Sequence, residues 1–443
     1  MRILFLRTAA LLAVCLSFSA AARQPVVLIS IDGLRPVEVL EAAPRGLDLP
    51  NLTRFLRDGA YAEGVRGVLP TLTYVSHTTL ITGVAPGRHG VTHNVTFDPF
   101  LKNAQGWDWY ASDIRVPTLW DAARKAGLRT ANDYWPVSVG APVDFNLPQI
   151  WRAGAADDVK LQDALTTPGL LAKMQPALGP FPPGADWEID GDVQRTRYAV
   201  WLLAHERPQF MTVYLTAYDT EQHHTGLGTP ADKQVLERID GLVGEIVAAA
   251  RKADPRSVVA VVSDHGFAPL HTDVNLMRAF ADAGLIRYDA NGAVQGWEAM
   301  PWFDGGASSV YLRDVHDDAV RQRTAALLAG LAADPALGIQ QVLDHAAVVA
   351  RDGDPAAAFL VLFRPGFEMA PDPKKPLLSA SSYKGMHGYD PALPAMYASF
   401  FIRGAGIPAG RDLGVIDMRA IAPTLAHLLG VALPDAEVKP LAL

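Results

Sequence analysis

Two apolar runs that each end in an acidic residue constrain the fold of this chain more than any other feature. Residues 25–31 read Pro-Val-Val-Leu-Ile-Ser-Ile and precede Asp32, and residues 258–262 read Val-Val-Ala-Val-Val and precede Ser-Asp264-His265. Short apolar runs of this kind predict buried strands. In open parallel sheets, ligands bind beyond the carboxyl ends of the strands. The two acidic ends are therefore expected to meet at one edge of a sheet.

Apolar runs and amphipathic stretches alternate along the chain, which predicts an α/β fold with a mainly parallel central sheet and helices on both faces. For the first helix, Asp48 is the predicted cap and Gly59 the stop. A Pro/Gly-rich stretch at residues 168–191 predicts a long surface loop. The predicted strands after the first are residues 128–132, 210–215, 258–262, 359–363 and 398–402, and the predicted helices are residues 49–58, 116–125, 193–205, 229–251, 315–332 and 417–429.

Six side chains form a candidate ligand set for two metal ions. They are Asp32, Asp219, His223, Asp264, His265 and His387. A mixed oxygen and nitrogen set suits zinc best among the common catalytic metals. An Asp after a strand is also commonly a helix cap or turn residue, so Asp32 alone supports either interpretation. The Asp264-His265 pair is harder to explain without a metal, because buried charges need a partner.

The segment Pro-Thr-Leu-Thr-Tyr-Val-Ser-His at residues 70–77 offers hydroxyl groups that could act as a nucleophile. Thr71, Thr73, Thr78 and Thr79 are all candidates, and each could instead be a capping residue. A threonine hydroxyl needs activation near neutral pH, which a bound metal ion provides. Residue types and spacing do not choose among the four.

The order and local spelling of these motifs resemble the nucleotide pyrophosphatase/phosphodiesterase family of the alkaline phosphatase superfamily. The resemblance runs from about residue 26 to residue 429. It rests on P-T-x-T at residues 70–73, His-Gly at 89–90, Asn94, D-x-x-x-H at 219–223, S-D-H-G at 263–266 and H-G-Y-D at 387–390. By this resemblance, Thr73 is the nucleophile and Asn94 binds a non-bridging phosphoryl oxygen. His77, His89 and His93 then serve packing or hydrogen bonding.

The resemblance also implies two zinc ions per chain. One would be held by Asp32, Asp264 and His265 together with Thr73, and the other by three further ligands, Asp219, His223 and His387. The implied reaction is hydrolysis of nucleotide phosphodiester or pyrophosphate bonds through a phosphothreonine intermediate, with release of nucleoside 5′-monophosphates. A structural zinc site in a secreted binding protein is the contrasting possibility, but such sites are usually closed by four protein ligands.

Tyr74 and Tyr214 match aromatic positions that stack on the base in nucleotide-cleaving relatives. Both could instead simply pack the sheet edge. A choline phosphodiesterase would need an acidic and aromatic pocket, for which no motif is assigned here. A phosphonoacetate hydrolase or phosphomonoesterase would share the metal ions but not the base pocket. Trp107 and Trp109 are expected to be ordinary surface or core aromatics.

Composition favours a globular enzyme with a small-molecule substrate. The 443 residues are 49% hydrophobic and 19% charged, and the formal net charge is −8. Specific nucleic-acid binding is not expected, because it relies on Lys and Arg, so an anionic phosphodiester would be held locally by metal cations. Residues 23–443 are expected to form one alkaline phosphatase-like domain, with an irregular lid or cap insertion at about residues 285–390.

Residues 1–22 have the pattern of a secretory signal peptide. Arg2 and Arg7 precede an apolar stretch, and three alanines at residues 20–22 supply the cleavage site. Export, to the periplasm of a bacterium, is therefore expected, with no transmembrane segment in the mature chain. Cys15, the only cysteine, lies in this segment, and Val14 before it disfavours a lipid anchor. Oligomeric state is left open by the sequence.

Overall fold

The structure, a computed structural model, describes residues 23–100, 102, 106–150, 152, 157–182, 188–372 and 374–443. The predicted signal peptide lies outside the described residues. The strands are β1 (Val26–Ile31), β2 (Ala60–Tyr61), β3 (Gly64–Arg66), β4 (Thr130–Asp133), β5 (Phe145–Leu147), β6 (Phe210–Leu215), β7 (Val258–Val262), β8 (Ala268–Val274), β9 (Ile286–Tyr288), β10 (Val294–Trp297), β11 (Ala299–Asp304), β12 (Ala307–Leu312), β13 (Ile339–Asp344), β14 (Phe359–Phe363), β15 (Gly366–Met369), β16 (Leu378–Ala380), β17 (Gly385–Met386), β18 (Phe400–Arg403), β19 (Arg411–Asp412) and β20 (Val415–Asp417). The helices are α1 (Pro36–Leu40), α2 (Thr53–Asp58), α3 (Thr73–Thr82), α4 (Pro86–His89), α5 (Leu119–Lys125), α6 (Asp158–Leu165), α7 (Leu170–Leu178), α8 (Ile189–His205), α9 (Ala217–Thr225), α10 (Pro230–Ala253), α11 (Leu276–Asp282), α12 (Asp318–Ala332), α13 (His345–Ala350) and α14 (Ile421–Leu429).

An eight-stranded mixed sheet forms the centre of the molecule, in the order β19-β2-β18-β7-β1-β6-β4-β5. The strands from β7 to β5 run parallel to one another, whereas β18 is antiparallel to β7 and β2. Every residue of β1, β6 and β7 is buried, as their apolar sequences predict. The predicted α/β fold with a mainly parallel sheet is confirmed.

Two groups of helices pack against this sheet. The first pairs α8 with α10, and α8 also contacts β4 and β6; the second places α14 against α3, α5 and β1. Helix α10 buries Leu236, Ile239, Val243 and Ile246, which recur every three or four residues along one face. The sheet is thus covered on both faces, and its carboxyl-end loops stay open for a site.

The predicted cap of the helix at residues 49–58, which is α2 in the structure, is wrong. The Asp240 carboxylate of α10 accepts hydrogen bonds from the backbone N–H groups of Asn51 and Leu52, at 3.1 and 2.7 Å. Capping therefore comes from a distant helix, and α2 begins at Thr53 rather than at residue 49. Asp48 instead donates its backbone N–H to Glu237.

Two further predictions, a loop at residues 168–191 and an irregular segment at residues 285–390, are wrong. In both segments the hydrophobic pattern decides the secondary structure despite local Pro and Gly. Residues 168–191 are not one loop, since they include α7 and the start of α8; Leu170, Leu171 and Met174 of α7 are buried. Residues 285–390 are not irregular, because they contain β9–β17, α12 and α13. A four-stranded antiparallel sheet of order β11-β12-β14-β13 dominates this segment. Whether the segment acts as a lid or cap stays a prediction. In the described part of the chain, no helix has the length and apolar character needed to cross a membrane.

Candidate metal centre

The carboxyl edge of the central sheet brings all six candidate ligands together. Asp32 follows β1 directly, and Asp264 lies two residues beyond the neighbouring strand β7. Asp219 and His223 lie in α9, which follows β6 on the other side of β1. His387 follows β17, which pairs with β8 next to the Asp264-His265 turn. The convergence predicted from strand ends therefore occurs.

One group of ligand atoms surrounds Nε2 of His265. This nitrogen lies 3.2 Å from Asp264 Oδ2, 3.3 Å from Asp32 Oδ1 and 3.4 Å from Thr73 Oγ1. The other Asp264 oxygen, Oδ1, accepts the backbone N–H groups of Gly33 and His265, both at 3.1 Å. These backbone contacts fix the carboxylate so that Oδ2 faces the group.

A second group is built on α9. Asp219 and His223 are one helical turn apart, with Asp219 Oδ2 3.3 Å from His223 Nε2. Asp219 Oδ1 lies 3.8 Å from His387 Nε2. The ligand atoms of Asp219 are also within 4.8 Å of those of Asp32 and His265. Asp219 is therefore shared between two adjacent groups.

All three histidines present the same nitrogen to the centre. Nδ1 of His223, His265 and His387 bonds to the backbone carbonyls of Gly385, Gly266 and Thr71, at 2.9, 3.1 and 3.0 Å respectively. A donated Nδ1–H leaves the Nε2 lone pair free to bind a metal, and this arrangement orients metal-binding histidines generally.

Three carboxylate oxygens in the centre are buried without a hydrogen-bond partner among the described residues: Asp32 Oδ1, Asp219 Oδ1 and Asp264 Oδ2. Leaving a buried carboxylate oxygen unsatisfied is costly, and a cation removes the cost. The donors are oxygen and nitrogen atoms only, which matches zinc. These observations fit two divalent ions held by the six residues.

Burial is the main cause of the pKa shifts of Asp32, Asp264 and His387 in the centre. Burial, together with the Asp219 and Asp264 carboxylates, raises the pKa of Asp32 well above its ordinary value. Burial likewise raises the pKa of Asp264 to about 7. Burial lowers the pKa of His387 to about 4, so its imidazole is neutral and available as a ligand near neutral pH. Bound cations would take the place of the protons that the carboxylates otherwise retain.

Thr73 differs from the other candidate hydroxyls in what it faces. Thr71 donates to the Tyr389 carbonyl, and the hydroxyls of Thr78 and Thr79 donate to backbone carbonyls within their own segment. Thr73 is instead the first residue of α3, with its hydroxyl beside His265. Residues 73–82 thus form a ten-residue helix, whose N-terminus favours anions.

Asn94 lines the cavity that lies over the metal centre. Its Oδ1 accepts the backbone N–H of Tyr74 at 2.9 Å, so its Nδ2 keeps its hydrogens for another acceptor. A donor is therefore available close to the start of α3, as the predicted role requires.

The cavity over the centre has a volume of about 290 Å³, and no Lys or Arg is among the described residues that line it. Tyr74 lines the cavity, with its ring centroid 5.3 Å from that of Trp107. Tyr214 also lines it, and both tyrosines are only 1% exposed; the Tyr214 hydroxyl donates to Asp32 Oδ2. The base-stacking role of both tyrosines stays a prediction, whereas the support that Tyr214 gives Asp32 was not foreseen.

Several cavity residues were missed by sequence reasoning. Trp107, expected to be an ordinary aromatic, lines the cavity, as do Phe303 and Tyr383, which are 38% and 39% exposed. No spacing or motif distinguishes them in the sequence. His77 behaves as predicted: it is buried and bonds to the Thr73 carbonyl and the Ser30 hydroxyl.

Comparison with known proteins was made for both sequence and fold. The family model described as type I phosphodiesterase / nucleotide pyrophosphatase matches residues 26–390, which include all four metal and nucleophile motifs. Human ectonucleotide pyrophosphatase/phosphodiesterase family member 1 is 27% identical over 254 residues, covering 55% of this chain and 23% of the human protein. Venom phosphodiesterase of Macrovipera lebetinus is 24% identical over 275 residues, covering 57% of this chain and 27% of the venom protein. The matched region thus spans about a quarter of these relatives.

Solved structures share the fold. Human ectonucleotide pyrophosphatase/phosphodiesterase 5 superimposes with a TM-score of 0.66 at 18% identity, covering 92% of this chain and 96% of that one. An inactive variant of the murine protein, with a threonine replaced by alanine and in complex with AMP, gives 0.66 at 17% identity over 95% and 97% of the two chains. The resemblance read from the motifs is confirmed.

Proposed function

This chain belongs to the type I phosphodiesterase/nucleotide pyrophosphatase family, and from this premise we propose that it hydrolyses nucleotide phosphodiester and pyrophosphate bonds. The products would be nucleoside 5′-monophosphates. The observation that carries the proposal is a cluster of ligand atoms beside a threonine hydroxyl at a helix N-terminus: three histidine Nε2 atoms and three carboxylate oxygens that lack a hydrogen-bond partner among the described residues.

Two zinc ions would be held by Asp32, Asp264 and His265 with Thr73, and by the three residues Asp219, His223 and His387. Bound zinc supplies positive charge for the phosphoryl oxygens and lowers the pKa of oxygen nucleophiles. Thr73 Oγ1 forms the bond to phosphorus while the bond to the leaving oxygen breaks, giving phosphothreonine. Water then displaces threonine from phosphorus and completes the hydrolysis.

The chain itself supplies two donors for the phosphoryl group. Asn94 Nδ2 is left free by the bond from Tyr74 N–H to Asn94 Oδ1, and the N-terminus of α3 carries a partial positive charge. Removing one such preorganised donor typically lowers kcat about 10²–10³-fold. Because no Lys or Arg is among the described residues that line the cavity, the positioning of an anion there would depend on these donors and on the cations.

The aromatic pair Tyr74 and Trp107 supports a flat substrate group next to the phosphate. Stacking of a base on an aromatic ring contributes about 1–3 kcal/mol per base. The complex of the murine relative with AMP supports a nucleoside monophosphate in this fold. The predicted signal peptide supports activity outside the cytoplasm.

A turnover panel tests the proposal. We expect p-nitrophenyl thymidine 5′-monophosphate to be cleaved faster than p-nitrophenyl phosphate or glycerophosphocholine, with activity lost on dialysis against chelator and restored by Zn²⁺. Tyr74→Ala should raise KM for the thymidine ester more than for bis-p-nitrophenyl phosphate, which has no base. Full activity without metal would refute the metal assignment. Faster cleavage of the monoester or of glycerophosphocholine would refute the substrate class.

A further inference from the structure

A buried network around His93 joins the loop that carries Asn94 to the antiparallel sheet of β11–β14. His93 Nδ1 lies 2.6 Å from Asp304 Oδ1, at the end of β11. His93 Nε2 contacts the Tyr311 hydroxyl of β12, which in turn donates to Asp354. All four side chains are buried. Both ring nitrogens of His93 are thus fixed by groups from a different part of the chain.

The network is charged and complete. Burial alone would lower the pKa of His93, but the carboxylates of Asp304 and Asp354 raise it to about 10. The ring therefore carries a proton on each nitrogen and donates in both directions. Asp304 uses its second oxygen to accept the backbone N–H and the hydroxyl of Ser309, at 3.0 and 2.8 Å. Satisfied buried networks of this kind hold their members in one geometry.

Asn94, the next residue, lies outside the helices and strands. Its own bonds are to the backbone of Tyr74 and Asp108, both near the cavity wall. On the other side, the neighbouring His93 ring anchors the loop to the antiparallel sheet. The orientation of the Asn94 amide thus depends on contacts on both sides of it.

We propose that His93 is a positioning residue: its bonds to Asp304 and Tyr311 hold the loop so that Asn94 Nδ2 points at the phosphoryl oxygen of the substrate. The proposal rests on the function proposed above, because it assigns His93 an effect that acts through Asn94. It also gives the segment of residues 285–390 a part in catalysis that does not require the segment to move.

A double-mutant cycle tests the proposal, using bis-p-nitrophenyl phosphate at saturating Zn²⁺. Asn94→Ala should lower kcat about 10²–10³-fold. His93→Ala should lower kcat on the order of 10–10²-fold, because small misplacements of catalytic groups have effects of this size. KM and zinc content should stay unchanged. In the Asn94→Ala background, the further effect of His93→Ala should fall below about twofold, since the two changes act through one group.

Additional variants keep the proposal testable if the buried substitution His93→Ala prevents folding. Tyr311→Phe keeps the ring and removes the hydroxyl that bonds to His93, so it should show a smaller loss of kcat that also disappears in the Asn94→Ala background. His93→Asn keeps an N–H within reach of Asp304 and should restore part of the activity lost in His93→Ala. His205→Asn is the control: its Nδ1 bonds to the Trp201 carbonyl within α8, which packs on α10 and the central sheet, and kcat should be unchanged.

Two results would overturn the proposal in different ways. Equal loss of kcat from His93→Ala with and without Asn94 would show a purely structural role and refute the inference alone. A normal kcat for Asn94→Ala would refute the proposed role of Asn94, and the inference with it.

Discussion

Replacing Tyr214 by phenylalanine separates support of a metal ligand from stacking on substrate. The Tyr214 hydroxyl donates to Asp32 Oδ2, while Asp32 Oδ1 has no partner among the described residues. Tyr214→Phe keeps the aromatic ring and removes only this donor. If the main role of Tyr214 is to hold Asp32, zinc affinity should fall, whereas a stacking role would leave it unchanged.

The size of the expected loss of zinc affinity follows from the burial of Tyr214 and Asp32. A hydrogen bond to a charged group contributes about 1.5–3 kcal/mol, and neither residue is exposed enough for water to replace it. Each 1.4 kcal/mol corresponds to about tenfold, so zinc affinity should fall about 10–100-fold. The same range is typical for groups that hold metal-binding side chains. The Tyr214 bond also counteracts the burial that raises the pKa of Asp32, so its loss favours protonation over metal binding.

Zinc affinity can be measured by competition with a chromogenic chelator, and kcat at saturating Zn²⁺ should return to within a few-fold of wild type. Tyr198→Phe is the matched control, because its hydroxyl bonds to the Gly179 carbonyl at 2.6 Å, outside the centre. An affinity within twofold of wild type for Tyr214→Phe, or an equal loss in Tyr198→Phe, would refute the reasoning.

Two further predictions concern the nucleophile and the charge of the centre. Thr73→Ala should lose nearly all turnover and Thr73→Ser should keep part of it, as steady-state kinetics would measure. Thr71→Ala should remain active but lose about 1 kcal/mol of stability in thermal unfolding, because it removes one buried hydrogen bond. A phosphoryl label trapped on a peptide without Thr73 would contradict the assignment of the nucleophile. Because burial raises the pKa of Asp264 to about 7, its contribution to the stability of zinc-free protein is present below about pH 4 and is lost as pH rises through 7. The stability of zinc-free Asp264→Asn relative to wild type should therefore increase over that range in urea unfolding, and a pH-independent difference would show that Asp264 ionises normally.

The sequence predicts most accurately those strands whose pattern depends on burial alone. Residues 210–215, 258–262 and 359–363 are strands with the predicted bounds, because the predominantly apolar runs in β6, β7 and β14 reflect a core environment directly. The start of α2 is displaced because its cap is a carboxylate about 190 residues away in the chain, in α10. Local capping rules do not detect a donor or acceptor that tertiary structure supplies.

The same distinction applies to the candidate centre. The six ligands could be proposed from strand ends and motif spacing, and the structure brings them together. The carbonyls that orient His223 and His387, the bond from Tyr214 to Asp32 and the network around His93 join residues that are far apart in sequence. These contacts depend on packing between elements, and residue types such as His or Tyr have many other uses.

The sharing of Asp219 between the two ligand groups has a consequence for how the protein acquires its ions. An ion bound by His223 and His387 would fix the Asp219 carboxylate and reduce the negative charge felt by Asp32. The second ion would then meet a carboxylate that is already fixed but a site that carries less negative charge, so the zinc affinities of the two sites would be coupled. A substitution at Asp219 would accordingly change the loading of both ions, whereas one at His387 would act first on one of them.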